Sequence, residues 1–476
     1  MPPSDAGASH ATERTPMMPP THAPSSHPAR RGGRGRGRPT HRGGANTSLL
    51  ALAAAVCSLA AMFVVVTKID ERGAARTAAA AYAARVGALS AERVAESPHA
   101  VMYDPFGGPP GSPDRVELAW QTPPDPVGLL FVAHGCGHAA TDFFPRSDRC
   151  PTCAGLPEES RLVAKALKRR LAVAAVSSQG GCWRPSLDAP RVRAALERVR
   201  ERAANGALAA APTYAFGASS GGAFVGALPF ATPVDGVVSQ IASVRLPARL
   251  TTRAALGEEL RAFGGRGEYP PVVFSHMSRD AATARSVDAS RAYLESVGVP
   301  VRVTELAPQP VDDAFFHRKL TRFAAAPAAQ DERVAREGGN SEGGDSEAAA
   351  LGVPTLEPAV RLAESARMAA ALRDAGLLDS EGYLREDPRR SEWREALRRH
   401  AARIGDSMVP DESPIAEVLN VAYAAHELSA DGFDEDMKWL EDRRKDAVAE
   451  RKKRAAEGEN EKAREAKPTI PERPTE

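Results

Sequence analysis

The chain has 476 residues, which is more than one typical domain and enough for one large α/β core with additional segments. Its 62 lysine and arginine residues nearly cancel its 61 aspartate and glutamate residues, which leaves a formal net charge of +1. A chain without excess positive charge has no general attraction for nucleic acid, so this class of partner is not expected.

The N-terminal segment, residues 1–46, is rich in proline, glycine and arginine, and its acidic residues are Asp5 and Glu13. Such a segment cannot bury a hydrophobic core, so we predict that it is disordered. Arginine and glycine repeats can bind RNA, but this segment lacks the interleaved aromatic residues on which bases stack. No nucleic acid partner is therefore predicted here either.

The next segment, residues 47–67, is uncharged and mostly apolar. About 20 apolar residues are enough to cross a bilayer, so the segment predicts one transmembrane helix or signal anchor. Arginines precede it, whereas residues 68–72 carry both signs of charge, and the positive-inside rule then places the folded part on the lumenal or extracytoplasmic side. The alternatives are a cleaved signal peptide, a transit sequence and an alanine-rich buried helix.

After a predicted helical stem at 68–98, apolar runs alternate with amphipathic segments across a core at 99–324. The predicted buried strands are 127–133, 171–176, 213–216, 236–241, 272–275 and 301–306. The predicted helices between them are 157–170, 190–205 and 281–297. Strands that alternate with helices indicate a mostly parallel sheet covered on both faces. Beyond the core we predict a disordered acidic linker at 325–355, a helical part packed on the core at 356–440 and a charged tail at 441–476.

Four of the five cysteines lie in the folded part of the chain, and they are Cys136, Cys150, Cys153 and Cys182. Their number suits disulfide bonds in an oxidising compartment, with three pairings open. Cys150 and Cys153 also have the spacing of a redox motif or of half a zinc site, but no second pair with this spacing exists. We therefore predict structural disulfides and no metal, and keep a redox or metal site as a further interpretation.

A short motif at residues 217–221 reads Gly-Ala-Ser-Ser-Gly and directly follows a predicted strand. This is the G-x-S-x-G pattern of a nucleophile elbow, in which a serine on a tight strand-to-helix turn requires neighbours with little side chain. Ser219 is the predicted nucleophile. Glycine and serine are common in ordinary turns, so the motif needs support from its context.

The context supplies an oxyanion loop and an acid. Residues 134–138 read His-Gly-Cys-Gly-His and follow the strand at 127–133, so the backbone at Gly135 and Cys136, together with Ser220, is predicted to stabilise an oxyanion. The alternative is a glycine-rich turn with two incidental histidines. Asp280 follows the strand at 272–275 and is the predicted acid. Its alternative role is to cap the next helix, and we expect one residue not to do both well; Asp288 is the weaker alternative acid.

The sequence does not assign the catalytic base to a single histidine. Residues 307–310, after the strand at 301–306, contain no histidine. His317 and His426 follow later, in the chain order Ser, acid, His that α/β-hydrolases use. Both are candidate bases, and His276 and His138 are further alternatives, because geometry rather than chain order decides the assignment.

With these residues in line, the sequence resembles a largely uncharacterised family of plant and algal α/β-hydrolase-like proteins with an N-terminal hydrophobic anchor. The resemblance spans about residues 100–440 and is carried by 134–138, 142–145, 150–159, 175–178, 182–183, 217–222, 387–389, 413–415 and 419–427. It implies an α/β-hydrolase core of seven or eight strands, with no assigned substrate. It also implies a histidine at the position of His426 but none at that of His317.

The sequence thus predicts a membrane-anchored serine hydrolase that acts on an ester, thioester or amide of a small-molecule acyl substrate. No cofactor is expected, because side chains and backbone donors are sufficient for this chemistry. The alternative function is an inactive, hydrolase-shaped binding or scaffold protein, which the missing histidine after the last strand favours.

Overall fold

A computed structural model describes residues 101–203, 206–247, 249–262, 267–323, 356–404 and 413–465. The predicted disordered N-terminus, transmembrane segment, stem and acidic linker lie outside these ranges, as do residues 466–476 of the predicted tail. Within the ranges described, no helix combines the length and apolar character needed to cross a membrane.

A central sheet of eight strands organises the described residues. The strands are β1 Met102–Tyr103, β2 Leu118–Gln121, β3 Gly128–Ala133, β4 Leu171–Val176, β5 Thr213–Ala218, β6 Gly236–Gln240, β7 Val272–Met277 and β8 Val301–Leu306. Their order across the sheet is β1-β2-β4-β3-β5-β6-β7-β8. The contacts of β2 with β1 and β4 are antiparallel, and the other pairings are parallel. The six predicted strands are thus present as β3 to β8, whereas β1 and β2 are additional.

The helices of the described chain lie on both faces of this sheet and in a region beyond it. They are α1 Pro157–Lys168, α2 Pro185–Arg202, α3 Ser220–Ala227, α4 Arg253–Ala262, α5 Ala281–Ser296, α6 Phe315–Lys319, α7 Leu362–Asp374, α8 Trp393–Ile404, α9 Pro414–Tyr423 and α10 Phe433–Glu465. Short 3-10 helices cover Ala140–Phe143 and Leu228–Phe230. A separate two-stranded ribbon pairs β9 Thr321–Phe323 with β10 Leu356–Pro358.

The sheet has an apolar core on each face because successive side chains of a strand point in opposite directions. In β3, Leu129 and Phe131 join one core with helices α2 to α5, whereas Leu130 and Val132 join the other core with α1, α9 and α10. All six residues of β3 are buried. A continuous apolar run is what a parallel strand covered on both faces requires, and this explains why the sequence pattern predicted the central strands.

Helix α2 begins earlier than the predicted start at Pro190. Pro185 occupies the first turn, where a missing N–H costs no hydrogen bond, and Pro190 lies inside the helix. The buried carboxylate of Asp188 accepts hydrogen bonds from the backbone N–H groups of Gln179 and Arg184. These contacts stabilise a start that the sequence pattern did not indicate.

The helical region after the sheet has its own apolar core. Phe315 and Phe316 of α6 pack there with Trp393 of α8 and Leu419 of α9. The next helix, α10, returns to the sheet, where Met437 is buried in the second sheet core. Helix α10 therefore connects the helical region to the sheet.

The carboxyl ends of the parallel strands lie along one edge of the sheet. Cys136 follows β3, Ser219 follows β5 and Asp280 follows β7, so three predicted site residues share this edge. A mostly parallel sheet with helices on both faces, and a serine on the turn between a central strand and a helix, fits the α/β-hydrolase fold.

Candidate active site

Ser219 stands between β5 and α3 in a backbone conformation that non-glycine residues rarely adopt. Its φ is 55° and its ψ is −117°, and such a conformation persists only where the surrounding structure enforces it. The Ser219 N–H donates to the carbonyl of Gln240 at 2.9 Å. A side chain at Gly217 would collide with the carbonyl of Gly221, and one at Gly221 would collide with the carbonyl of Ala133. The two outer glycines of the motif are therefore required by the turn.

His426 lies between Ser219 and Asp280. Its Nε2 is 2.8 Å from Ser219 Oγ and its Nδ1 is 2.7 Å from Asp280 Oδ2. Because a carboxylate can only accept, Nδ1–H donates to Asp280 and leaves Nε2 to accept from the serine hydroxyl. The His426 side chain is 48% exposed, whereas that of Asp280 is 11% exposed. The histidine therefore faces the solvent side of the cluster and the acid lies beneath it.

Asp280 caps α5 and contacts His426 at the same time. Its Oδ1 accepts from the Thr283 N–H at 3.0 Å, and its Oδ2 accepts from the Thr283 hydroxyl at 2.6 Å. Burial alone would raise the pKa of Asp280, but the hydrogen bonds from Thr283 and His426 outweigh it and lower this pKa. The expectation that capping and a role in the site exclude each other is wrong, because a carboxylate has two oxygens with several acceptor sites. Asp288, the alternative acid, is 70% exposed and lies 3.7 Å from Arg291.

The other candidate histidines lie in different surroundings. His317 in α6 does not join Ser219, because its Nδ1 is 2.7 Å from the Val360 carbonyl and its N–H donates to Ser365 Oγ. His276 is buried within β7. His138 pairs with Asp142 at 3.1 Å. Of the histidines considered from the sequence, His426 is the one that the structure brings to Ser219.

The segment that carries His426 is held against the sheet by hydrogen bonds. Ala424, with a φ of 57°, ends α9 in a left-handed conformation and turns the chain toward Ser219. Beyond His426, the buried amide of Gln240 accepts from the Ser429 N–H at 2.8 Å and donates to the Ser429 carbonyl at 2.9 Å. The Arg389 guanidinium donates to the carbonyl of His426 itself.

An ionic network anchors the same segment from the other side. Lys319 lies 2.8 Å from Asp431 and Arg161 lies 3.0 Å from it. Burial opposes ionisation of this carboxylate, but Lys319 and Arg161 hold the pKa of Asp431 well below its usual range. The buried Glu158 accepts from the Ala430 N–H at 2.8 Å. The position of His426 is therefore set by several charged contacts rather than by one.

The predicted oxyanion loop is built around a buried histidine. The Ser178 N–H donates to His134 Nε2 at 3.0 Å, which leaves Nδ1–H to donate to the Gly135 carbonyl at 2.6 Å. Burial lowers the pKa of His134, in agreement with a neutral ring. Trp183 Nε1–H donates to the His134 carbonyl at 2.9 Å. His134 thus has a structural position at the base of the loop.

Gly135 and Cys136 line the same cleft as Ser219. Ser220 is the first residue of α3, and the N–H groups of a first helical turn have no acceptor within the helix. Backbone donors of this kind suit the stabilisation of a negatively charged oxygen. The three predicted oxyanion residues therefore lie near Ser219, two of them in the loop after β3 and one at the start of α3.

The four cysteines form two disulfides in the described chain. Cys136 pairs with Cys182 with an S–S distance of 2.08 Å, and Cys150 pairs with Cys153 at 2.02 Å. The first bond ties the oxyanion loop to the segment before α2. Among the described residues no group of metal-ligating side chains is found. Cys150 and Cys153, which have the spacing of half a zinc site, are bonded to each other.

The cleft at Ser219 has a volume of about 500 Å³, which lies within the usual range for small-molecule sites. Its outer wall comes from the helical region and includes Trp393, Arg394, Glu417 and Asn420. Sequence reasoning did not assign a site role to these residues. Glu417 lies in the first turn of α9, where acidic residues are common, so its position in the sequence gave no signal of a site.

No protein-family model matches the chain, and no curated protein sequence matches it. Solved structures with a similar arrangement include an esterase from Mycobacterium marinum, with 19% identity over 46% of this chain and 76% of that chain and a TM-score of 0.30. An open-form lipase and a carboxyl esterase from Bacillus coagulans each show 14% identity over 44% of this chain and 90% of theirs, with a TM-score of 0.31. These structural neighbours are esterases and lipases, and at such identities the likeness does not transfer a substrate.

Proposed function

We propose that the protein is a serine hydrolase that cleaves carboxylic esters, with Ser219 as nucleophile, His426 as base and Asp280 as the acid that orients the base. The observation that carries the proposal is the continuous hydrogen-bonded chain from Asp280 through His426 to Ser219. It coincides with the strained backbone of Ser219 at the elbow. The same chemistry extends to thioesters and amides.

In the proposed reaction, His426 Nε2 takes the hydroxyl proton as Ser219 Oγ attacks the substrate carbonyl. Asp280 stabilises the imidazolium that forms, and the backbone donors near Gly135, Cys136 and Ser220 stabilise the oxyanion. His426 then gives its proton to the departing alcohol, which leaves an acyl group on Ser219. A water molecule, deprotonated by His426, releases the acid and restores the serine.

An inactive scaffold was the alternative because no histidine follows the last strand of the sheet. His426 supplies a base from the loop between α9 and α10, within hydrogen-bond distance of Ser219. This position supports the enzyme over the scaffold alternative.

We further propose that residues 47–67 anchor the chain in a membrane, with the folded part on the lumenal or extracytoplasmic side. The two disulfides support an oxidising compartment, because such bonds are rare in the reducing cytosol. Protease protection of sealed membranes would test the orientation: loss of the folded part before membrane permeabilisation would contradict a lumenal location.

A fluorophosphonate probe tests the nucleophile directly on the full chain. We expect one adduct, located on Ser219 by peptide mass analysis, and none in Ser219→Ala. His426→Ala should label far more slowly, whereas His317→Asn should label at the rate of the unmodified protein. Labelling of the Ser219→Ala variant, or an unlabelled wild-type chain that is folded, would contradict the proposed function.

A further inference from the structure

The cleft contains two buried carboxyl groups that the proposed triad does not use. Glu159 on α1 and Glu417 on α9 are 4% and 7% exposed, and both line the cleft that opens at Ser219. In the described part of the chain, the two carboxyl groups hydrogen-bond each other, and Glu417 Oε1 also accepts from the Glu158 N–H at 3.1 Å. A carboxyl group has acceptor sites beyond the one hydrogen bond that it shares, so a carboxyl pair at the wall of a cleft can also bind polar groups of a ligand.

The two carboxyl groups lie close enough to affect each other's proton affinity. Burial, followed by the charge of Glu159, raises the pKa of Glu417 well above its usual value. Burial likewise raises the pKa of Glu159 to about 7. Near neutral pH the pair therefore holds at least one proton, so it offers a hydroxyl donor and carboxyl oxygen acceptors side by side.

The neighbouring polar groups of the cleft supply further hydrogen-bond donors and acceptors. The hydrogen bond with Asp142 raises the pKa of His138 to about 9, so its imidazolium is a donor at neutral pH. The amide of Asn420 donates to Glu427 at 2.9 Å and has its own oxygen as an acceptor. All of these side chains except Asp142 line the cleft.

The charges around the cleft are largely compensated in pairs. His138 is paired with Asp142, and Arg389 lies 3.2 Å from Glu427 and 3.5 Å from Asp387. Arg394 adds a positive charge to the wall, with its guanidinium 4.5 Å from the centre of the Trp393 ring, and one ionised carboxylate of the Glu159 and Glu417 pair offsets this charge. The cleft as a whole therefore gives no strong preference for an anion or a cation. Its many donors and acceptors match hydroxyl groups, which both donate and accept, whereas a hydrocarbon chain would leave them unpaired.

We propose that the cleft binds a neutral, hydroxyl-rich group against Glu159 and Glu417, and that the substrate is a short-chain acyl ester of a sugar or polyol. This inference rests on the proposed function of Ser219. Leu156 and Trp393 also line this cleft and give part of its wall an apolar character. Glu159 and Glu417 are binding residues in this proposal and do not take part in bond making.

A matched pair of esters tests the substrate class on the full chain. Glucose 6-acetate and cyclohexylmethyl acetate share the acetyl group, the primary ester and a six-membered ring, but the second lacks the hydroxyl groups. We expect kcat/KM for glucose 6-acetate to be higher by about 100-fold or more, because a site built for hydroxyl groups discriminates strongly against analogues that lack them. Equal or reversed preference would overturn the inference.

Isosteric variants test the two carboxyl groups. Glu417→Gln and Glu159→Gln should each reduce the ratio of the two kcat/KM values by about tenfold or more, since a hydrogen bond that involves a charged group is altered. Glu395→Gln is the matched control, because Glu395 is 70% exposed on α8, and its ratio should remain that of the wild type. An unchanged ratio in both cleft variants would contradict the proposed role of the pair.

A binding measurement separates failure of this inference from failure of the proposed function. In Ser219→Ala, calorimetric titration should show glucose 6-acetate binding at least about tenfold tighter than cyclohexylmethyl acetate. If the wild type is labelled at Ser219 but shows no preference, the substrate class is wrong and the hydrolase proposal stands. If Ser219 is not labelled, the hydrolase proposal fails, and the titration still decides which group the cleft binds. If a glutamine variant does not fold, the ratio of kcat/KM for the two esters in the wild type still tests the substrate class.

Discussion

His426 Nε2 lies 2.8 Å from Ser219 Oγ, although the two residues are 207 positions apart in the sequence. The histidine lies in the loop between α9 and α10, which follows most of the helical region in the sequence. The segment directly after β8 contains no histidine. Its Gln309 side chain donates to Asp431 in the loop that carries His426. The helical region is therefore a structural part of the site.

Replacing His426 with alanine should lower kcat by roughly 10⁴-fold or more, because residues that act as one catalytic unit cause losses of this order when one is removed. The measurement is the hydrolysis of p-nitrophenyl acetate under saturating conditions. His317→Asn is the control and should stay within about twofold of wild type, since His317 contacts Val360 and Ser365 instead. A large loss in the control with an active His426→Ala would reverse the assignment of the base.

Replacing Gln240 with methionine should lower kcat and also destabilise the fold by about 1–3 kcal/mol, the cost of leaving buried backbone groups unpaired. Methionine keeps the length of the side chain but loses both hydrogen bonds to Ser429. Urea unfolding and steady-state kinetics give the two quantities. Gln179→Met provides the control, because the exposed Gln179 side chain donates to the Pro113 carbonyl and does not contact the segment that carries His426. An unaltered kcat in Gln240→Met would show that the contact does not position His426.

Replacing Cys182 with serine should lower kcat by about tenfold, less than the loss of a whole oxyanion donor, because other contacts still hold the loop. The Gly137 N–H still donates to the Gly181 carbonyl at 2.7 Å. Stability should fall by about 2–5 kcal/mol, since the bond to Cys136 spans 46 residues. Cys153→Ser breaks a bond between residues only three positions apart and should leave kcat within about twofold. Equal effects on kcat in both variants would argue against a specific role of the first disulfide.

The ion pair of His138 with Asp142 predicts a pH-dependent stability. The hydrogen bond with Asp142, together with the negative charges of Glu159 and Glu427, raises the pKa of His138 from 6.5 to about 9. The fold thus favours the charged ring, so its stabilisation is complete below pH 6.5 and is lost as pH rises through about 9. The loss should be at most about 3 kcal/mol.

Unfolding by urea at a series of pH values measures this dependence. His138→Gln should remove most of the decline between pH 6.5 and 9. The buried Glu159 has its pKa raised from 4.5 to about 7, because the fold favours its neutral form. It therefore affects stability at lower pH than His138 does. Stability assigned to Glu159 is lost as pH rises through about 7. An identical slope above pH 7.5 in wild type and variant would contradict the role of His138.

The central strands and the elbow could be predicted because their causes are local in the sequence. A strand buried on both faces is a continuous apolar run, as in β3, and the tight turn at Ser219 requires glycine at fixed positions. The strands β1 and β2, with two and four residues, are too short to give a periodic signal. Their pairing depends on the sheet that they join.

The choice among histidines and the disulfide pairing could not be made from chain order. His317 and His426 both follow the acid in sequence, and only the path of α9 places one of them at Ser219. Acidic residues at the start of a helix ordinarily compensate the helix dipole, but Glu158 and Glu159 at the start of α1 are buried, and Glu158 contacts Ala430. Burial is a property of the assembled fold, so a local pattern could not indicate it.

The ribbon of β9 and β10 brings residues 323 and 356 side by side in the antiparallel pairing. Ser219 and Asp280 precede this ribbon, whereas His426 follows it. A chain cut between the two strands would carry Ser219 and Asp280 on one fragment and His426, the proposed base, on the other. Ester hydrolysis would then report the reassociation of two separately produced halves, which makes this protein suitable for a split-enzyme design.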